Sequence, residues 1–176
     1  MERVNHFSCE LSQILGNENW NNIQLLVVIY SRFEYVLEKL GFLINIRGKY
    51  IIDWYPYIED ISDRFQINHL SNQTLLTAYE YLLRNPPKKK ILGIPSQWQT
   101  ISFPRNVTDC KKVIEYIRAI RNNLFHGSKY PFDTARDSNL ILSSIILLDY
   151  CIEISSNDFL SYFWEGLSPY EDHTVQ

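Results

Sequence analysis

Along most of this chain apolar residues return every three or four positions, and the every-second-residue alternation of a half-buried strand is nearly absent. Ile23, Leu26, Val27, Tyr30, Phe33, Leu37 and Leu40 set the pattern, falling at 100° per residue on one broad stripe. Most of a striped helix's stability comes from laying that stripe on its neighbours, so the pattern predicts an all-α domain. Seven such segments can be placed. Val4 to Leu15 form a short helix closed by Gly16, and the long helix follows the Asn-rich stretch of residues 17–22 and stops at Gly41. Another runs from Pro56 toward Phe65, proline being tolerated in a first turn. Ser71 caps a helix carrying Leu75, Leu76, Tyr79, Leu82 and Leu83, which Pro86 and Pro87 terminate. Thr108 or Asp109 caps the next, striped by Val113, Ile117, Ile120 and Leu124 and ending at Gly127. The strongest late helix runs from Asp137 to about Ser155, with Leu140, Ile141, Ser144, Ile145, Leu148 and Ile152 facing inward. Phe159, Leu160, Phe163 and Trp164 suffice for one short docked helix before a polar tail over 165–176.

Two stretches escape the helical period. Residues 45–53 hold Gly48 among short β-branched pieces, which reads as a loop or a small extended excursion. Residues 86–107 hold four prolines and a lysine triplet without any sustained period, which reads as a long loop ahead of the next helix. Connections of that length are uncommon in a small domain and often carry function.

A length of 176 residues at 45% hydrophobic composition fits one domain that can bury a core without disulfide or metal staples. The aromatic share, 14%, is high; the rings belong either to the core or to an interface. Cys9, Cys110 and Cys151 are far apart and lack CxxC spacing, so they predict reduced thiols rather than a framework or a zinc site. There is no signal-peptide pattern at the start and no apolar run long enough to span a membrane, since even Leu140 to Leu148 is broken by Ser143 and Ser144. A cytoplasmic location is expected. His6, His69 and His173 have no partners at ligand spacing, Asp60 and Asp63 read as a solvated face, and no metal or cofactor is expected. Walker, GxGxxG, GxSxG and HExxH patterns are all missing, so nucleotide hydrolysis and hydride transfer have no support.

Net charge is −3, but it is unevenly spread. From Arg84 to Arg121 nine Lys/Arg face only Asp109 and Glu115, a local +7 that leaves −10 for the rest. A basic segment on an acidic body draws a phosphate backbone to one place, with Lys111, Lys112, Arg118 and, just beyond, Lys129 as candidate contacts. The plainer alternative is a solvated loop followed by a helix start.

The string Ile120-Arg121-Asn122-Asn123-Leu124-Phe125-His126-Gly127-Ser128-Lys129 closes that basic segment. On an ideal helix Asn122 and His126 are neighbours one turn apart, while Arg121 projects roughly 140° from His126. One helix therefore does not make a tight Arg/His pair, whereas two copies related by a dyad can face these edges into a shared cleft. The chemistry suits a phosphodiester: imidazole exchanges protons near neutrality, and guanidinium offers a permanent charge and a planar fork to phosphate oxygens. Asn122 can orient either group without titrating, and Gly127 allows a sharp turn. The plainer alternative makes His126 a residue favoured by the helix C-terminus and Arg121 a surface cation. Glu34, at the edge of the long helix's stripe, can pair with Arg121 or Arg118 and fix its direction, or can be an ordinary surface glutamate facing Glu38.

Arg121 to Gly127, preceded by Ile117 and Ile120 and followed by Lys129, resembles the Arg-x4-6-His motif of HEPN domains in its Arg-polar form. The segment Ser31 to Lys39 likewise resembles the early helix of HEPN-like toxin and defence proteins, and the likeness spans about residues 20 to 155. The resemblance implies an antiparallel bundle of about six to seven helices that forms a homodimer with two motifs meeting at the interface. It further implies metal-independent RNA cleavage by attack of the ribose 2′-hydroxyl on the adjacent phosphate. Carried onto this chain, His126 is the general acid/base, Arg121 the phosphate ligand and Asn122 the orienting residue. The settings implied are defence, stress response or a toxin–antitoxin pair, with an antitoxin or defence-system protein as a further partner. The family's inactive members leave open a module that only binds a nucleotide, RNA or a protein.

Overall fold

The stripe of residues 23–40 becomes the longest helix, α1 (Asn17–Lys39), in a computed structural model that describes residues 13, 15–69, 71–90, 97–125 and 134–166. α1 starts earlier than the stripe predicts, because the Asn-rich stretch joins it. Asn19 Nδ2 donates to Leu15 O at 2.7 Å and the Trp20 amide to Gly16 O at 3.0 Å. The expected helix from Val4 lies mostly outside the described residues. Among the described residues five more α-helices follow: α2 (Tyr55–Ser62), α3 (Gln73–Arg84), α4 (Asp109–Phe125), α5 (Thr134–Glu153) and α6 (Asn157–Trp164).

An all-α class is therefore right in the main and incomplete in detail. The stretch 45–53 takes the extended alternative, as an antiparallel hairpin of β1 (Leu43–Ile46) and β2 (Lys49–Ile52). Arg47 and Gly48 make its two-residue turn at φ 54° and 80°, the left-handed pair that matches strand twist and that glycine adopts without steric cost. Leu43, Ile44, Ile46, Tyr50 and Ile51 stay exposed on it. The expected loop at 86–107 holds a second hairpin, β3 (Lys88–Lys90) paired antiparallel with β4 (Trp98–Thr100), while its other described residues, 86–87, 97 and 101–107, are without helix or strand. Helical periodicity cannot reveal strands of three or four residues.

Caps fix the helix starts. Asn72 rather than the expected Ser71 caps α3, its Oδ1 accepting from the Leu75 amide at 3.1 Å. Thr108 caps α4 by accepting from the Lys111 amide at 3.3 Å, and Ser156 caps α6. At the far end of α6, Arg32 of α1 donates to the carbonyls of Tyr162, Phe163 and Glu165, satisfying groups the helix leaves orphaned.

Many of the described aromatic rings go into the core. Phe33 lies within 5.0–6.1 Å, centroid to centroid, of Trp54, Tyr57, Phe159 and Phe163, locking α1, α2 and α6 together. The inward residues of α4, among them Val113, Ile114, Ile117 and Ile120, join the same core, and α5 packs on α1 and α3. Ser144 is fully buried on α5 and satisfied by Leu140 O at 2.7 Å. Asp60 pairs with Arg64 on an exposed turn, the solvated reading. Among the described residues, no helix is long and apolar enough to cross a membrane.

Candidate functional site

α4 carries the motif's arginine one turn before Phe125, where the described part of that helix ends. The Arg121 guanidinium is held from three directions. Nη2 donates to Glu34 Oε2 at 3.2 Å, Nη1 donates to Asn122 Oδ1 at 3.1 Å, and Cζ sits 4.9 Å from the centre of the Tyr30 ring. Tyr30 and Glu34 are one turn apart on α1, so a single face of that helix supplies both the ring and the carboxylate. Their side chains leave Arg121 and Glu34 27% and 32% exposed, an intermediate position in which the pair is screened less than at the surface. Glu34 thus chooses Arg121 over Arg118 and is not a free surface acid.

Burial, and secondly the Glu34 carboxylate, push the Tyr30 phenol up to about 12, against the pull of Arg118 and Arg121. The phenol stays neutral, and its ring face serves as a fixed surface for the cation.

Arg118 lies one turn earlier. Its Nη1 donates to Glu115 Oε1 at 2.7 Å and its Cζ sits 5.6 Å from the Trp54 ring, which itself lies 5.2 Å from Tyr30. Lys111, two turns further back, places its Nζ 5.3 Å from the Tyr55 ring. Lys111, Arg118 and Arg121 therefore run along one side of α4, each over an aromatic ring from α1 or the start of α2. Lys112 does not join them. It pairs with Asp109 at 2.8 Å, and nine residues of ideal helix set it about 180° and roughly 13.5 Å from Arg121. Asn122 is exposed beside Arg121. His126, Gly127 and Lys129 lie outside the described residues.

Sequence reasoning missed the aromatic floor of Tyr30 and Trp54: helical spacing marked Tyr30 only as part of a buried stripe, and no pattern singled out Trp54. It also missed what the second hairpin does. Asn123 Nδ2 donates to Lys88 O at 2.7 Å and fastens β3 to α4. Between them runs an open groove of about 660 Å³, walled by Lys89, Lys90 and Trp98 on the hairpin side and by Arg118, Asn122 and Asn123 on the helix side. The lysine triplet was the available signal, and it pointed to charge without saying where the charge would sit.

The two described cysteines are closed off. Cys110 and Cys151 are buried free thiols; burial pushes Cys110 up to about 11 and Cys151 well up, which keeps both protonated and poorly nucleophilic. Among the described residues, no three His, Cys, Asp or Glu side chains gather in a way that could hold a metal ion. The arrangement can bind and orient an anion at Arg121. No family model matches the chain, and no curated protein and no solved structure matches it.

Proposed function

We propose that this chain is a metal-independent endoribonuclease of the HEPN type, cutting RNA at a site completed by a second copy of itself. One observation carries the reading: a guanidinium in the Arg-x4-His string is clamped by a carboxylate and a ring from a distant helix. An arginine that only kept the surface soluble would gain nothing from being pinned this way. A preorganised cation does gain, because it meets charge developing on a phosphate without first having to reorganise.

In this reading Arg121 holds a non-bridging oxygen of the scissile phosphate, Glu34 and Tyr30 keep the fork aimed, and Asn122 orients the phosphate or the imidazole. His126 takes the proton from the 2′-hydroxyl or delivers one to the departing 5′-oxygen. The attack closes a cyclic phosphate and releases a 5′-hydroxyl end. On ideal geometry Arg121 and His126 point roughly 140° apart, so the complete set at one phosphate draws on two copies. Defence, stress response or a toxin–antitoxin pair is the setting, the last with a neutralising partner protein.

The test is incubation of the purified protein with single-stranded RNA in excess EDTA. Cleavage to cyclic-phosphate ends is expected, and His126→Ala or Arg121→Ala should abolish it. Cleavage that needs added metal, or that survives either substitution, removes this mechanism. An RNA left intact by wild type would favour an inactive module that binds without cutting.

A further inference from the structure

We propose that the groove between the β3–β4 hairpin and α4 binds single-stranded RNA, seating one base on Trp98 and the adjoining phosphates on Lys89 and Lys90. This rests on the ribonuclease reading for the identity of the strand, but the observations behind it are separate from the Arg121 clamp.

Lys90 and Trp98 are register partners across the hairpin. Residues directly opposite in an antiparallel pair share a face, with Cβ atoms about 5 Å apart. A phosphate ligand and a stacking platform thus stand side by side, matching a nucleotide's own pairing of backbone and base. Trp98 is half-buried, and among the described residues no other aromatic ring packs on it. Phe103, further along the groove, is already engaged with Tyr116 at 5.4 Å and forms fixed wall.

The charge is suited to the same ligand. Lys89 and Lys90 are exposed, and among the described residues neither lies within ion-pair distance of a carboxylate. The groove's one acid among the described residues, Glu115, is paired with Arg118 at 2.7 Å, so with Lys89 and Lys90 the charged groups of its lining sum to +2. Asn122 and Asn123 add amides that can meet base edges or a ribose hydroxyl. The groove's volume lies within the range of about 300–1,000 Å³ that holds a drug-sized ligand, enough for a base with its sugar and phosphate.

A duplex hides its base faces inside the stack, so an open ring with flanking lysines fits an unpaired strand. An acidic peptide would use the lysines and leave Trp98 idle. The groove is also continuous with the clamp, because Asn122 lines it and accepts from Arg121. A strand lying in the groove is led to the cation that would hold its scissile phosphate.

Binding is read by fluorescence anisotropy with a short labelled 2′-O-methyl RNA single strand, which cannot undergo 2′-hydroxyl attack, so affinity is measured apart from cleavage. Trp98→Ala should weaken binding about tenfold to a hundredfold, and Trp98→Phe should restore most of it. Lys89→Ala with Lys90→Ala should flatten the slope of log affinity against log salt by about 1.4. Thermal melting of each variant checks that the fold is kept. Absence of wild-type binding, or affinity and slope unchanged in the variants, overturns the proposal. So does equal competition by an RNA duplex or an acidic peptide. Groove-dependent binding without any cleavage would keep the groove and discard the nuclease; cleavage indifferent to Trp98 and the lysines would do the reverse.

Discussion

The two ends of α4 use the same kind of ion pair for different purposes. At the N-terminal end Lys112 takes Asp109, three residues away on the same helix, and Asp109 also accepts from the Tyr79 hydroxyl of α3 at 2.6 Å. At the C-terminal end Arg121 takes Glu34, 87 residues away on α1, and lies over the Tyr30 ring from the same helix. The first pair can form as soon as the helix does, and an acid in the first turn suits the macrodipole. The second exists only once α1 and α4 have docked. Two cations that look equivalent in a charge count therefore differ in kind: one stabilises a helix start, the other is placed by the whole fold.

The largest expected effect follows from that difference. Arg121→Lys keeps the charge but loses the planar fork that meets Glu34 and Asn122 together and that, in the proposed mechanism, holds the phosphate. Single-turnover cleavage should fall by a factor on the order of 10²–10³. Lys112→Arg, the equivalent exchange at the other end, should leave the rate within about twofold; similar losses at both ends would erase the distinction. Next in size is Glu34→Gln. It leaves Arg121 half-buried without its carboxylate and should cost about 1–2 kcal/mol in denaturant unfolding, between the surface and buried limits. A double-mutant cycle of Glu34→Gln with Arg121→Ala should show clear coupling, and the Asp109/Lys112 cycle no more than about 0.5 kcal/mol.

The same contrast explains how far sequence reasoning reached. Stripes such as Tyr30-Phe33-Leu37 and Val113-Ile117-Ile120 bury the residues they predict, because a helix period of 3.6 is written directly into the order of residues. Within-helix geometry was equally accessible, including the opposite placement of Lys112 and Arg121 around α4. Contacts across elements were not. Glu34 was open to pairing with either Arg118 or Arg121, and only the docking of α1 on α4 selects the second. The two hairpins escaped for a different reason: strands this short give periodicity too few residues to register. In the second, Lys88 to Lys90 had been left open between a segment that draws a phosphate backbone and a solvated loop, and the bond from Asn123 to Lys88 sets that strand beside α4.

The smallest expected effect belongs to Asp109, and its sign can be worked out. The hydrogen bond from Lys112, then that from Tyr79, hold this carboxyl below the usual aspartate range, with burial opposing them. A carboxylate whose folded pKa is depressed contributes stability above its unfolded value of about 4, and that contribution is lost as pH falls through the folded value. Asp109→Asn should therefore cost no more than about 1 kcal/mol at neutral pH, discounted for the solvent that reaches this partly exposed pair. The gap between wild type and variant should close as pH drops below about 4. Unfolding titrations at neutral and acid pH measure both quantities. A gap that widened in acid would mean that the Asp109 carboxylate is not the anchor of the helix start, and the contrast between the two ends of α4 would lose its N-terminal half.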